Sequence, residues 1–268
     1  MLKSRLCIAF FAFAVGCAPA QKPLTDYVNP MLGTATLWDS VDLGFKPTKR
    51  TWGAEVFPGS SLPNAMVQVS PVTKFHSGAG YQYEDSVIYG FTHTNKGHWN
   101  LCHIPLLPVT GTPTPGDYCS PFSHERESAA PGYYQVFLDR YGVDAQLSST
   151  LRCAFHKYTY PAGAAPAVLA DLQRSNEHVR AWDIRKEGDN VFAGWQQTGE
   201  KMYFYAVANR PVTGIEPVVE GDREVRIVRF GEGDGALELR IGFSFVSEKN
   251  ARENLEAEML GKSFAEVR

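Results

Sequence analysis

The pattern that most constrains the fold begins near residue 65, where apolar side chains recur at every second position in short runs. Glycine, proline, asparagine and aspartate separate these runs, as they do between strands. The alternation is clearest in residues 152–160 and 224–230. Successive side chains of a strand point to opposite faces of a sheet, so this period excludes an amphipathic helix. The sequence therefore predicts a mostly β fold, a sandwich or barrel of many strands.

A set of short strands follows from this pattern. Residues 202–208 are apolar at both odd and even positions, which predicts a strand covered on both faces or a strand in the middle of a sandwich. The predicted strands are residues 65–70, 86–93, 104–109, 133–138, 143–148, 152–160, 167–172, 191–195, 201–208, 224–230 and 237–245.

One helix is predicted after the strands, over residues 248–260, which are rich in helix-forming residues. Ala251, Leu255 and Met259 are spaced four apart and so share one face, and Ser247 suits the N-cap position. Phe264 and Val267 follow as apolar residues for which we expect no further chain to pack against, as if a linker helix had been interrupted.

The charge balance limits the classes of partner. The 268 residues are 44% hydrophobic, enough for a substantial core, and 26 basic residues against 29 acidic ones give a net charge of −3. This balance produces no strong field that would attract phosphate backbones or anionic lipid surfaces. Nucleic acid is therefore excluded as an expected partner.

The N-terminus resembles an export signal. Lys3 and Arg5 precede an apolar run, residues 6–15, that is too short to span a bilayer. Cleavage after Ala20 is one alternative; a lipobox ending at Cys17, which would carry a lipid anchor, fits slightly better. We expect a bacterial protein exported to the periplasm, the outer membrane or the cell surface. Palmitate labelling that persists in a Cys17→Ser variant would exclude this cysteine as the anchor.

Three cysteines follow the signal. Cys102, Cys119 and Cys153 are an odd number and allow at most one disulfide. A bridge between Cys102 and Cys119 is conceivable in an oxidising compartment. We favour the alternative that all three are small buried apolar residues.

Two loop-rich stretches have the composition of a sugar site. Residues 26–61 are irregular and contain five aromatic residues, Trp38 and Trp52 among them. Residues 90–111 concentrate histidines, a lysine, asparagines and Trp99 before an apolar strand. Indole rings stack on the apolar faces of sugars, while polar side chains bind the hydroxyls. In the alternative interpretation, Trp99 and Leu101 close the end of the sandwich and the histidines are solvated.

The candidate substrate-binding residues come mainly from the second stretch. We predict that Trp99 stacks on a sugar, that His93, Lys96 and His98 contact hydroxyls, and that Trp52 and Glu55 are outer contacts. His93, His98, Cys102 and His103 lack the paired spacing of zinc ligands, so no metal site is predicted. The sequence singles out no catalytic acid or base among the carboxyls of the loop-rich half, which are Asp26, Asp39, Asp42, Glu55, Glu84, Asp85 and Asp117.

Three blocks of sequence are distinctive: "NPMLGT" at residues 29–34, "FPGSSLP" at 57–63 and "GYQYEDSVIYGFTHT" at 80–94. Together they resemble the N-terminal domain of glycoside hydrolase family 92. Residues 243–258 resemble the segment of that family in which the β-sandwich ends and a linker helix begins. The loop after "FTHT" differs from the Gly/Ser-rich loop of many members.

The resemblance implies a calcium-dependent, inverting exo-α-mannosidase that acts on α-mannosides of the N-glycan type. It implies a β-sandwich followed by an (α/α)6 toroid, with the active site between the two and with the acid, base and main calcium ligands in the toroid. The expected domains are a signal peptide over residues 1–20, a family 92-like sandwich over 21–246 and the start of a linker helix over 247–268. Ca²⁺ is implied for the full enzyme and is not assured for this chain.

Three functional hypotheses follow. In the first, the chain is the sandwich part of a family 92-like α-mannosidase, which contributes to the mannoside pocket but is inactive without the toroid. In the second, it is a stand-alone, lectin-like surface module that binds glycans. In the third, a separate chain supplies the (α/α)6 domain as a partner.

Overall fold

The computed structural model describes residues 22–36, 44, 56–96 and 99–268, with the side chains of Asn95 and Lys96 excepted. Within these residues the chain forms eighteen strands. They are β1 (Ser60–Ser61), β2 (Val67–Val72), β3 (Val87–Ile88), β4 (Gly90–Lys96), β5 (Trp99–Asn100), β6 (Leu106–Val109), β7 (Ser120–Pro121), β8 (Glu127–Ala130), β9 (Tyr133–Leu138), β10 (Val143–Ser149), β11 (Cys153–Thr159), β12 (Ala167–Ala170), β13 (Ala181–Lys186), β14 (Val191–Gln197), β15 (Lys201–Ala208), β16 (Val212–Glu220), β17 (Arg223–Phe230) and β18 (Leu237–Ser244).

The helical elements are few. Single turns of 3₁₀ helix occur at Leu24–Tyr27 and His124–Arg126. Helix α1 (Glu248–Glu258) and the short helix α2 (Phe264–Val267) follow the last strand. None of the described helices is both long and apolar enough to cross a bilayer.

The strands form two large antiparallel sheets. The first has the order β1-β2-β4-β6-β12-β17-β16, with β5 paired to β4, and the second has the order β13-β14-β15-β18-β11-β10-β9-β8. A small third sheet pairs β3 with β7. Buried side chains of both large sheets belong to one apolar core, which includes Ile227 and Phe91 from the first sheet and Tyr134 and Phe204 from the second. This is the predicted mostly β sandwich.

Each of the eleven predicted strands overlaps an observed one, with ends shifted by a few residues, except that the predicted strand over 86–93 is divided between β3 and β4, which lie in different sheets. Three longer strands were not predicted, β8, β13 and β16, and each of them is the edge strand of a large sheet. In β16 only the first residue is buried, so the strand has no apolar alternation to read. Edge strands bury few side chains, and the period-two pattern depends on burial.

Strand β15 confirms the prediction of a strand covered on both faces. Phe204 and Ala206 lie in the core between the sheets, whereas Tyr205 and Val207 pack against a second cluster beneath the C-terminal helices. Helix α1 supplies Leu255 to that cluster.

The C-terminal segment confirms one prediction and corrects another. Ser247 caps α1, because its hydroxyl accepts a hydrogen bond from the backbone N–H of Asn250 at 3.1 Å. The expectation that Phe264 has nothing to pack against is wrong. Its ring is buried edge-on to Phe155, with centroids 5.2 Å apart, and Val267 packs partly against the same cluster.

The three described cysteines are free thiols, so the conceivable bridge between Cys102 and Cys119 does not form. Cys102 and Cys153 are buried, as the favoured alternative predicts, whereas Cys119 is half-buried. The predicted signal, residues 1–20, lies outside the described residues.

Candidate functional site

The β4–β5 hairpin presents Trp99 at one end of the sandwich. Trp99 pairs with Lys96 across the hairpin, and its side chain is 39% exposed. A large aromatic surface therefore remains available to a ligand. For Lys96 only the backbone is described, and the predicted contacts His98, Trp52 and Glu55 lie outside the described residues.

His93 lies inside the sandwich and not at its surface. The residue is fully buried, its ring packs on Phe243 with centroids 4.6 Å apart, and its Nε2 lies 3.0 Å from Nε2 of His156. In β4 it points toward the second sheet. The structure thus separates His93 from Trp99, and we leave it out of the site proposed below.

Burial also sets the charge of this histidine pair. It lowers the pKa of His93 to about 3 and the pKa of His156 well below its ordinary value, so both rings are neutral near pH 7. The Tyr158 hydroxyl lies 2.5 Å from Nδ1 of His156. If it donates there, Nε2 of His156 carries the proton and donates to Nε2 of His93. The pair is therefore a neutral, hydrogen-bonded part of the core.

Behind Trp99, residues 101–105 form a tight loop with unusual backbone angles. Cys102 and Ile104 both have φ of 53°, in the left-handed region, where a β-branched residue such as Ile is rare and strained. Two side-chain acceptors hold the loop: Asn100 Oδ1 accepts from the Cys102 N–H at 2.7 Å, and Gln196 Oε1 accepts from the Ile104 N–H at 2.8 Å. Strain of this kind persists only where the surroundings enforce it, and such positions concentrate at functional sites.

The loop directs His103 toward a polar triad. Its Nε2 lies 3.0 Å from Oγ1 of Thr198, and that hydroxyl donates to Oε2 of Glu177 at 2.6 Å. Since the hydroxyl proton goes to Glu177, His103 Nε2–H is the donor to Thr198. Burial lowers the pKa of His103, against the opposing effect of the Glu177 carboxylate. Glu177, with a side chain 40% exposed, is thus a carboxylate at the surface of this end of the sandwich.

Asn176 joins three loops at the same end. Its Nδ2 donates to the backbone oxygen of Asn100 at 2.6 Å and to that of Ser77 at 3.3 Å, while its Oδ1 accepts from the His76 N–H at 2.6 Å. It therefore connects the loop that follows β2, the Trp99 hairpin and the segment after β12. The sequence does not predict this role, nor those of Glu177 and Thr198, because these contacts join residues that lie 21 to 100 positions apart in the chain.

The donor set gives no support for a metal at this site. Among the described residues, no three His, Cys, Asp or Glu side chains converge as metal ligands. Ca²⁺ takes six to eight oxygen ligands, so Glu177 does not by itself fit such an ion. Glu177 and its described neighbours therefore do not fit the calcium that the family resemblance implies, and we derive no step through it.

The family follows from the match over most of the chain. Residues 27–252 match the model of the glycosyl hydrolase family 92 N-terminal domain. The chain belongs to this family. Its two packed sheets and closing helix are therefore the fold of a family 92 N-terminal domain. The comparison with curated protein sequences gives no significant match.

Solved family 92 enzymes share this fold. The alpha-mannosidase BT3965 from Bacteroides thetaiotaomicron is 25% identical, with a TM-score of 0.78 over 92% of this chain and 36% of its own. The enzyme ccman5 is 25% identical, with a TM-score of 0.68 over 79% of this chain and 33% of its own. The inverting mannosidase BT2199 from B. thetaiotaomicron VPI-5482 shows the same fold at 23% identity and a TM-score of 0.75, with 92% and 35% covered. This chain thus spans about a third of each enzyme's length.

Proposed function

We propose that this chain is the sandwich part of an exported family 92 α-mannosidase, that it contributes to the mannoside pocket, and that it has no turnover by itself. The observation that carries the proposal is the structural match to the alpha-mannosidase BT3965, which includes 92% of this chain but 36% of the enzyme. The remaining part of such an enzyme would supply the catalytic acid and base.

Trp99 supports a sugar-binding role for the hairpin end of the sandwich. Its partly exposed ring stands beside the strained 101–105 loop and offers a flat apolar surface of the kind on which pyranose rings stack. Glu177, fixed by Thr198, is a nearby acceptor for sugar hydroxyls. The hydrogen bonds of Asn176 hold these loops in fixed positions relative to one another, so that the surface is formed before a ligand arrives.

The described carboxyls give no support for catalysis by the chain alone. Inversion requires two carboxyl groups about 6.5–9.5 Å apart, one as acid and one as base. Glu177 is engaged by Thr198, Asp85 accepts from Thr73 Oγ1 at 2.8 Å, and Asp117 forms an ion pair with Arg140 at 2.6 Å. The third hypothesis, a toroid supplied as a separate partner chain, would provide the missing groups at this surface.

Export belongs to the same proposal and rests on the sequence of residues 1–20. A mature protein in the periplasm, or held at the outer membrane or cell surface through a lipid on Cys17, would meet α-mannosides of N-glycan type outside the cytoplasm. The proposed partners are therefore carbohydrate and the catalytic domain of the enzyme, with membrane contact only through such an anchor.

The first test is turnover. Purified chain is incubated with α-mannobiose and calcium, and released mannose is measured with and without a chelator. We expect no release in either case, because the proposal assigns the acid and base to the remaining part of the enzyme. Chelator-sensitive release would contradict the proposal, since it would show that these residues hold a complete active site.

The second test concerns Trp99. We expect Trp99→Ala to weaken calorimetric binding of mannobiose by roughly 3- to 10-fold, as the loss of one stacking contact implies. Trp99→Phe keeps an aromatic face and serves as the matched control, with a smaller loss. Equal affinities for all three proteins would refute the stacking role. Tight binding of free mannobiose by the chain would favour the lectin-like hypothesis.

A further inference from the structure

An open cleft of about 840 Å³ lies beside the candidate site, between the segment that leads into β13 and the start of β17. Its walls include three arginines, two histidines and a tryptophan: Arg174, Arg180, Arg223, His76, His178 and Trp182. The chain as a whole has a net charge of −3, so this concentration of guanidinium groups runs against the composition of the protein. We refer to these residues as the basic cleft.

A buried network holds two of the arginines in place. Asp171 is fully buried, and its Oδ2 accepts from Arg223 Nη2 at 2.5 Å and from the Tyr118 hydroxyl at 2.7 Å. Arg174 Nη1 in turn donates to the Tyr118 oxygen at 3.3 Å. Burial raises the pKa of Asp171, while Tyr118 and the arginines oppose that rise. The guanidinium groups of Arg174 and Arg223 are therefore linked to each other through the Tyr118 hydroxyl and the Asp171 carboxylate.

Aromatic rings fix Arg174 further. Its guanidinium carbon lies 4.5 Å from the centroid of the Phe75 ring and 5.0 Å from that of Tyr89. Cation–π contacts of this kind orient the planar group and remove much of its rotational freedom before any ligand binds. A preorganised guanidinium binds an oxyanion with less loss of entropy than a mobile surface arginine.

The remaining guanidinium group of the cleft, that of Arg180, has no counter-ion among the described residues. Arg180 is exposed and forms no ion pair or side-chain hydrogen bond with any described residue, and the same holds for His178. The lining of the cleft contains one carboxylate, Glu177, which accepts a hydrogen bond from Thr198, and the buried Asp171 pairs with Arg223 from behind. Three guanidinium groups therefore face two carboxylates, and positive charge is left over at the mouth of the cleft.

We propose that the basic cleft binds the anionic group of a charged saccharide, that is, a carboxylate, sulfate ester or phosphate ester. Guanidinium groups match the geometry of such oxyanions and bind them through paired hydrogen bonds. Trp182, half-buried in the wall with the Arg226 guanidinium 5.3 Å from its ring centroid, adds a flat surface for the sugar ring itself. This goes beyond the proposed function, which concerns uncharged mannosides at Trp99, and does not depend on it.

The test is calorimetric titration of the purified chain with glucose 6-phosphate, glucuronate, inorganic sulfate and glucose. We expect saturable binding of the two charged sugars, weaker binding of sulfate, none of glucose, and a loss of affinity as salt rises. Arg180→Gln, at an exposed position without partners, should weaken glucose 6-phosphate binding by about fivefold. Arg174→Lys keeps the charge but not the planar donor pair, and should weaken it by about tenfold.

Lys186→Gln is the matched control. Lys186 lies at the far end of β13, is exposed, and its loss changes the net charge by the same amount as the loss of Arg180. The Lys186→Gln variant should bind glucose 6-phosphate with the same affinity as the unchanged chain. The proposal is overturned if the folded chain shows no saturable binding of either charged sugar at about 20 mM. It is also overturned if sulfate or glucose binds as tightly as glucose 6-phosphate, or if Lys186→Gln and Arg180→Gln lose affinity equally.

Discussion

At the scale of single residues, the most consequential feature is the row of neutral histidines. His93 and His156 are fully buried and face each other, and His103 is buried beside Thr198. Burial lowers the pKa of all three. An unfolded chain protonates these rings near pH 6.5, whereas in the folded chain each ring has a lower pKa, most strongly lowered for His93 and His156. Folding is thereby coupled to pH.

We predict that the free energy of unfolding falls as the pH drops below about 6.5. A histidine whose folded pKa is depressed contributes full stability above its unfolded pKa, and each buried ring costs up to about 1.4 kcal/mol per pH unit below it, toward a folded pKa of about 3 for His93. The measurement is urea unfolding between pH 7 and 4.5. The His156→Gln variant should show a smaller change in the free energy of unfolding with pH. The exposed His178→Gln variant should show the same change as the unchanged chain. A slope that is the same in all three proteins would argue against the coupling.

At the scale of elements, helix α1 packs closely against strand β18. Gly242 in β18 lies directly beneath the helix, where an added Cβ would stand 2.1 Å from the backbone oxygen of Ala251 and 2.8 Å from Cβ of Leu255. The absence of a side chain at this one position therefore sets the distance between helix and sheet. Leu255 packs next to it against Phe155.

We predict that Gly242→Ala lowers the free energy of unfolding by about 1–3 kcal/mol, because the helix must move away from the sheet. Gly199→Ala is the matched control: its Cβ would meet nothing within 4 Å, so it should unfold like the unchanged chain. Thermal and urea unfolding measure both. Equal stability of the two variants would show that the helix accommodates the methyl group and that the contact is not limiting.

At the scale of the whole molecule, the turn before β11 ties the C-terminal helix to both sheets. Glu258, at the end of α1, accepts hydrogen bonds from Thr150 Oγ1 at 2.6 Å and from the backbone N–H and Nε of Arg152 at 2.9 and 2.6 Å. The intervening Leu151 oxygen accepts from the N–H groups of Met66 and Val67, where β2 of the other sheet begins. Helix and both sheets therefore meet at one turn.

We predict that Glu258→Gln lowers the free energy of unfolding by about 1–3 kcal/mol at pH 7. Burial raises the pKa of Glu258, but its hydrogen bonds outweigh burial and lower it overall. Its contribution is then present above the unfolded pKa and lost as the pH falls through the folded one, so the two proteins should converge in acid. Glu253→Gln, on the exposed face of the same helix, is the control and should change stability by less than about 0.5 kcal/mol. A constant difference down to pH 3 would contradict the assignment.

The sequence by itself determined the parts of this protein in which local pattern and burial coincide. The sequence predicted the central strands, the doubly covered β15 and the Ser247 cap, because alternation and capping depend on neighbours a few residues away. It also predicted the family, through blocks of similar sequence. Trp99 was predicted to lie in a polar stretch before an apolar strand; the structure places it in the β4–β5 hairpin, and its role in binding stays a prediction.

Only the tertiary structure decided the rest. It identified the edge strands, buried His93 against His156, covered Phe264, and joined His103, Thr198 and Glu177 at one end of the sandwich. It also gathered the arginines of the basic cleft around Asp171. These contacts connect residues far apart in the chain, and their partners are set by how two twisted sheets stack. No local period in the sequence carries that information.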